Sequence, residues 1–414
     1  MTQQTFSHVF ANGLTLVAEQ MDWLESAAFA LLMPAGCLYE SNAQLGLGAL
    51  TCEMVQRGCA GRDSRQFVAD LENLGADTSA HVSNAHTSFG GAMPAESLAP
   101  VLEIYSQAIQ HPHLPEDQLE DARAGCLQEV HSIEDDLAQR CMVAARGQFY
   151  AAPYGRASHG TVPTLEALTK ADIQQFYQDT YRPQQAILAV AGKIDWPRLK
   201  EHVGQLFSGW TGSNPRQIIE TPPARGYQHI AADSQQVHLS VAFDAPPYPN
   251  LDYFQVRGAI GVLSDGMSSR LFTEVREKRG LCYTVYASCH SLRDRGGVFA
   301  YAGTTAERAQ ETLDVLTAEV VKLHDGVSDI ELSRLKRRIK RALIIQQESS
   351  SARAGSLAHD WFYLQRIRPI EELRTIIDGL SASSINHYLA AHRPREFSVV
   401  TLGKKPLETT HGIS

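Results

Sequence analysis

TGSNPRQIIETPPARG, residues 211–226, is where the sequence changes character. The stretch is polar and holds three prolines and two glycines, which favour extended and turning backbone over helix or ladder. It reads as an interdomain linker, taken here as residues 213–226, joining a domain at 1–212 to a second at 227–414. On both sides the pattern runs in the same order. Upstream, GLTLVAE (13–19) and AAFALLM (27–33) read as strands, with a break at Pro34-Ala35-Gly36. A helix is expected from Leu47 to Gln56, stopped by Gly58, and another over SRQFVADLENLG (64–75), stopped by Gly75. Residues 77–95 alternate as strands do. Helical tracts follow at 96–110, 115–150 and 165–181, with Thr169 and Asp172 spaced as a capping box. AILAVAG (186–192) is a continuous apolar run, read as a buried strand. Downstream the order restarts: strand 235–243, a helical region 251–279, strands VYASCHS and GVFAYAG, helices within 305–349, 351–364 and 370–391, and a closing strand FSVVTLG (397–403). This predicts an α+β fold built from two similar domains. Each is a mainly antiparallel β-sheet packed with helices on one face, and together they form an internal duplication.

The chain has 414 residues, 43% hydrophobic and 20% charged, ordinary for a globular protein. Its net charge of −9 argues against a general nucleic-acid binder, since a phosphate backbone rewards a basic surface. No apolar run is long enough for a transmembrane helix, so no membrane partner is expected. MTQQTFSHVFANGLTLV lacks the pattern of a signal peptide. Seven cysteines, an odd number without regular spacing, read as reduced thiols in a cytoplasmic protein. Cys52 and Cys59, two helical turns apart, read as small core-side residues. The tract Arg334–Arg341 reads as the solvated face of a long helix, with Leu335, Ile339 and Leu343 turned inward. His81, His86, His111, His113 and His131 are scattered and read as surface or hydrogen-bonded histidines.

Several stretches together carry a family resemblance. They are NGLTLVAE followed by PAGCLYESNAQLGLGAL, LENLGADTSAHVSNAHTSF, PYGRASHGT with DIQQFYQDTYRPQQAILAVAG, and, most specific, GMSSRLFTEVREKRGLCYTVYA (266–287). Over residues 11–403 the chain resembles the pitrilysin-type zinc peptidases, the inverzincins that include mitochondrial processing peptidases and small bacterial relatives. Active members carry H-x-x-E-H on the first helix. Two histidines one turn apart bind zinc, and the glutamate takes a proton from the zinc-bound water. Aligned on Gly58, this chain instead reads Ala49-Leu50-Thr51-Cys52-Glu53. Both imidazoles and the base are replaced, while the downstream acid matches Glu129. No metal is therefore expected in this chain.

The resemblance assigns the second domain a different part. Taken alone, Arg276 is one helix charge among several and Tyr283 a half-buried aromatic. The resemblance makes them the arginine–tyrosine pair that reaches substrate held at the zinc. It implies a non-catalytic subunit of a heterodimeric zinc peptidase, inactive alone. The partner would be a homologous chain bearing H-x-x-E-H and zinc. Ser79, Ala80, His81 and Val82 fall where active relatives offer an edge strand to a peptide. Leu263-Ser264-Asp265-Gly266 departs from the family's glycine-rich turn before M-S-S-R-L. Two alternatives stand beside this reading. One is a peptide-binding scaffold without hydrolytic role, including in ribosomal-peptide maturation. The other is a remodelled metal site drawn from Cys52, Glu53, Cys126 and Glu129.

Overall fold

A computed structural model of the chain describes residues 4–212 and 218–409; the 213–217 part of the expected linker lies outside the described residues. The chain packs into two compact units, each discontinuous in sequence. The first takes in residues up to 132, 156–219 and 344–369. The second takes in 133–155, 220–343 and 370 onward.

The first unit is built on strands β1 (Gln4–Val9), β2 (Thr15–Gln20), β3 (Ser26–Met33), β4 (Asp77–Val82), β5 (Thr87–Pro94) and β6 (Ile187–Gly192). Their order across the sheet is β1-β2-β6-β3-β5-β4, with β2 and β6 parallel and the other neighbours antiparallel. In chain order the first helices are α1 (Leu47–Val55), α2 (Ser64–Asn73), α3 (Leu98–Gln110), α4 (Leu119–Asp135), α5 (Leu137–Phe149), α6 (Val162–Ala167), α7 (Lys170–Thr180) and α8 (Trp196–Leu206). Side chains alternate across the pleat. Leu16, Ala18, Phe29, Leu31 and Val190 enter a core with residues of α1–α4, α7 and α8. Val17, Ala28, Leu32, Ile187 and Ala189 point the other way.

The second unit has β7 (Tyr227–Ala231), β8 (Gln236–Ala245), β9 (Cys282–Ser291), β10 (Gly296–Thr305) and β11 (Ser398–Gly403), in the order β7-β11-β8-β10-β9. Its strands too are antiparallel neighbours except for one parallel pair, β7 and β11. The later helices are α9 (Tyr253–Ser264), α10 (Ala309–Val321), α11 (Asp329–Gln346), α12 (Ser350–Leu364), α13 (Ile370–Gly379) and α14 (Ala382–Ala391). Val241, Phe243, Val298, Ala300 and Val399 form the main core with residues of α9, α10 and α14.

Helices gather mostly on one face of each sheet, as expected, but the other face is not bare. α12, late in the sequence, lies on the second face of the first sheet through Ala354, Leu357 and Ala358. α5, early in the sequence, lies on the second face of the second sheet. There Cys141, Ala145 and Phe149 meet Ala242, Phe299, Val400 and Leu402. Each unit is thus completed by a helix from the opposite half of the chain. The sheets demand this cover: apolar runs such as AAFALLM and ILAVAG bury side chains on both faces.

Local chemistry sets where the expected helical tracts break. The 115–150 tract divides at Asp136, whose carboxylate accepts from Ala138 N (3.0 Å) and Gln139 N (3.1 Å) and so caps α5. The 305–349 tract divides at Gly326, whose φ of +93° favours glycine. The capping box of Thr169 and Asp172 is present in both directions. Three elements were not anticipated: β1, β7 and α8; of these α8 carried the clearest signal, an Asp195 N-cap and buried Leu199 and Val203 one turn apart. The 220–226 end of the expected linker is fixed rather than free. Ala152 and Thr221 exchange two backbone hydrogen bonds of 2.9 Å, and Arg225 grips both carboxylate oxygens of Asp244. Leu335 is buried in the main core of the second unit, with Ile339 packed against it, as the helix periodicity predicts, while Leu343 is half-buried outside that core. Among the described residues no helix is long and apolar enough to cross a membrane.

Candidate functional site

Three places carry the residues singled out from sequence. The first is α1. Gly46 enters the helix with φ +88°, and the buried Glu40 carboxylate accepts from Gly46 N (3.0 Å) and Gly48 N (2.8 Å). Orphan donors of the helix start are thereby satisfied by a side chain. Along α1, Ala49 is half-buried, Cys52 is 4% exposed, and Glu53 faces solvent. On α4, Cys126 is buried and Glu129 exposed. The structure does bring these groups into one neighbourhood: Glu53, Cys126 and Glu129 all act electrostatically on the Cys52 thiol.

Burial first, then the nearby carboxylates, pushes the Cys52 thiol well above its usual range. The same causes push Cys126 up to about 12. Among the described residues no group of three or more His, Cys, Asp or Glu is arranged to hold a metal ion. The residues present therefore do not fit the zinc of the resemblance. Cys52 and Cys59 are both core residues. His113 contacts the carbonyl of Ala60 at 2.7 Å, His111 ends α3, and His131 faces solvent on α4.

The second place is β4, which stands at the sheet edge. Ala80 and Val82 turn into the core beside α1, while Ser79 and His81 face out. Ser79 pairs with Gly90 and His81 with Ser88 across β5, leaving the other edge of β4 unpaired within the sheet. An unpaired edge is a template for a further strand.

The third place joins a π-helical turn, Phe272–Glu277, to the edge strand β9. π-turns often accompany functional sites because the extra residue re-aims side chains. Here Arg276 donates from Nη1 to the Tyr283 carbonyl at 3.0 Å. Its guanidinium lies 4.7 Å from the ring centres of both Phe272 and Tyr283. Neighbouring Lys278 and Arg279 both pair with Glu274, but among the described residues no carboxylate pairs with Arg276. Tyr283 is 81% exposed. The arrangement holds an unneutralised guanidinium and a free phenol side by side, ready for a carbonyl, carboxylate or oxyanion.

Nearby, Gly266 has φ +102°, a left-handed conformation that favours glycine in the altered turn. Arg270 is structural: it makes two bonds to Glu331 (2.7 and 3.0 Å) and one to the Gly326 carbonyl. Sequence reasoning missed Phe272 as the second ring under Arg276. It also missed a groove beside β4, although His81 and His86 had been noted and only their meeting with α12 was hidden.

Comparison with known proteins agrees with this architecture. Residues 16–156 match the family model "Insulinase (Peptidase family M16)", and 167–339 match "Peptidase M16 inactive domain". The chain belongs to the M16 (pitrilysin/insulinase) peptidase family. An uncharacterized zinc protease of Rickettsia felis is 26% identical, with 90% of this chain and 91% of that protein covered. One from Mycobacterium tuberculosis is 25% identical over 94% of this chain and 91% of its own length. Among solved structures, a peptidase M16 inactive domain from Pseudomonas fluorescens matches with a TM-score of 0.90 at 22% identity, covering 99% of this chain and all of that one. A protease from Helicobacter pylori matches with a TM-score of 0.87 at 19% identity, covering 98% and 100%. The two structures establish shared fold.

Proposed function

We propose that this chain is the non-catalytic subunit of a two-chain zinc peptidase. It holds a peptide and contributes Arg276 and Tyr283 to the site of a homologous partner that carries H-x-x-E-H and the zinc. The observation that carries the reading is a contrast within one chain. On α1 the positions of the two histidines and the base hold Ala49, Glu53 and the buried Cys52, whereas Arg276, with no carboxylate paired to it among the described residues, stands beside an exposed Tyr283. Arg276 would fix a substrate carbonyl or carboxylate with its forked donors. Tyr283 Oη would donate to the oxygen that gains charge as the carbonyl carbon becomes tetrahedral. β4 would lengthen the sheet with the peptide backbone. Seven free cysteines, five of them buried, support a reducing compartment such as the cytoplasm.

The test is reconstitution. The pure chain is mixed with a homologous H-x-x-E-H chain, and peptide hydrolysis is followed. Activity is expected only in the mixture, and Tyr283→Phe should lower kcat by roughly 10²-fold, the scale of losing one oxyanion donor. A mixture indifferent to both Tyr283→Phe and Arg276→Ala would sink the donated-site reading and leave the scaffold reading standing.

A further inference from the structure

On the second face of the first sheet, between α12 and the strands β5 and β4, lies an open groove of about 480 Å³. Its floor is small: Gly90 stands opposite Ser79, and Ser88 opposite His81. Its wall is a stripe of α12 at one-turn spacing, Ser351, Gly355, His359 and then Phe362–Tyr363. One end is closed by rings. His86 meets Phe362 edge-on at 5.1 Å, Phe362 meets Tyr363 at 4.8 Å, and His359 lies 4.5 Å from Tyr363. Burial pushes His86 down to about 4 and His359 below its usual range, so both rings are uncharged near neutrality. His86 Nδ1 is buried and has no hydrogen-bond partner among the described residues.

We infer that this groove receives an aromatic side chain of an extended peptide paired to the free edge of β4. The inference rests on the peptide-holding part of the proposed function. A strand added at that edge keeps the pleat of the sheet, so its alternate side chains emerge on the same face as Asp77, Ser79 and His81. The Ser79–Gly90 pair leaves a gap in that outer row. Short side chains do not cross it. Aromatic ones reach diagonal neighbours in a sheet and would end among the four rings. Uncharged rings reward another ring by edge-to-face packing and offer no charge to an acidic residue. Gly355 supplies the clearance on the helix wall, since a Cβ there meets nothing within 4 Å.

The test uses the full chain alone, so its outcome is independent of whether Arg276 and Tyr283 serve a second chain. Fluorescein-labelled Lys-Thr-Phe-Thr-Phe-Thr-Lys is titrated by anisotropy against the same peptide with Ala or Asp in place of Phe. The Phe peptide is expected to bind roughly tenfold tighter than either, as burying one ring warrants. Gly355→Leu fills the groove and should bring the Phe peptide to the affinity of the Ala peptide while the thermal midpoint holds. Should Gly355→Leu fail to fold, His359→Ala removes part of the ring wall and should weaken the Phe peptide alone, by about threefold. No binding, equal binding of all three peptides, preference for the Asp peptide, or indifference to the groove variant that folds would each overturn the inference.

Discussion

Arg353 of α12 donates from Nε (2.8 Å) and Nη2 (2.6 Å) to a single carboxylate oxygen of Glu19 on β2, and both side chains are 3% exposed. This ion pair pins the exchanged helix to the first sheet. Two charges have left water for a site where their mutual attraction and hydrogen bonds help to compensate.

Breaking that pair from one side should be severe. Arg353→Met takes the guanidinium away from the buried Glu19 charge and should cost about 3–5 kcal/mol in urea unfolding. The double variant Glu19→Leu/Arg353→Met should recover most of the loss, because apolar packing replaces a costly desolvated pair. If the double variant were no better than the single, the pair would not be what matters there.

Glu40 gives stability a pH dependence of known sign. Burial pushes its carboxyl up to about 7, against the opposing pull of the Gly48 and Gly46 N–H donors. The folded state then binds more protons than the unfolded state between about 4.5 and 7. This contribution is full below about 4.5 and is lost as pH rises through 7. Stability of the wild type relative to Glu40→Gln should therefore fall across that window, on the order of 2–3 kcal/mol. Parallel pH profiles of the two proteins would contradict this.

Tyr283→Phe should leave folding untouched, within about 0.5 kcal/mol, because the ring is 81% exposed and its hydroxyl is not needed for Arg276 to stack. Phe272→Leu should also fold, yet weaken a reconstituted activity by raising KM, since Arg276 loses one of its two rings. Melting curves separate these effects from unfolding.

Chelation should change nothing in the isolated chain. A bound metal would stabilise it by mass action, so its removal would lower the thermal midpoint. With no group of three or more His, Cys, Asp or Glu arranged to hold a metal ion among the described residues, EDTA is expected to leave the midpoint where it was. A fall of several degrees would show a metal centre that the α1–α4 neighbourhood does not reveal.

Much of this architecture was legible in local pattern. AILAVAG and QQVHLSVAF are strands because continuous β-favouring apolar runs have few other solutions, and Thr169 with Asp172 caps α7 by adjacent chemistry. Arg276 and Tyr283 lie seven residues apart, so their hydrogen bond was within reach of a local reading. The partners of Glu19 and His86 were not. Arg353 lies 334 residues from Glu19, and Phe362 lies 276 residues (362 − 86) from His86. A buried glutamate inside TLVAEQ hints that some cation must meet it, but nothing local says which.

The exchanged helices also set the order in which the polypeptide can mature. During synthesis the N-terminal sheet emerges with Val17, Leu32 and Ile187 uncovered, and it must wait until residues 350–364 leave the ribosome. Until then it exposes a sticky apolar slab and an unneutralised Glu19, the kind of species that recruits chaperones or aggregates. Severing the gene at residues 213–217 would leave neither product able to finish its own sheet, unless the two pieces meet and trade helices after translation.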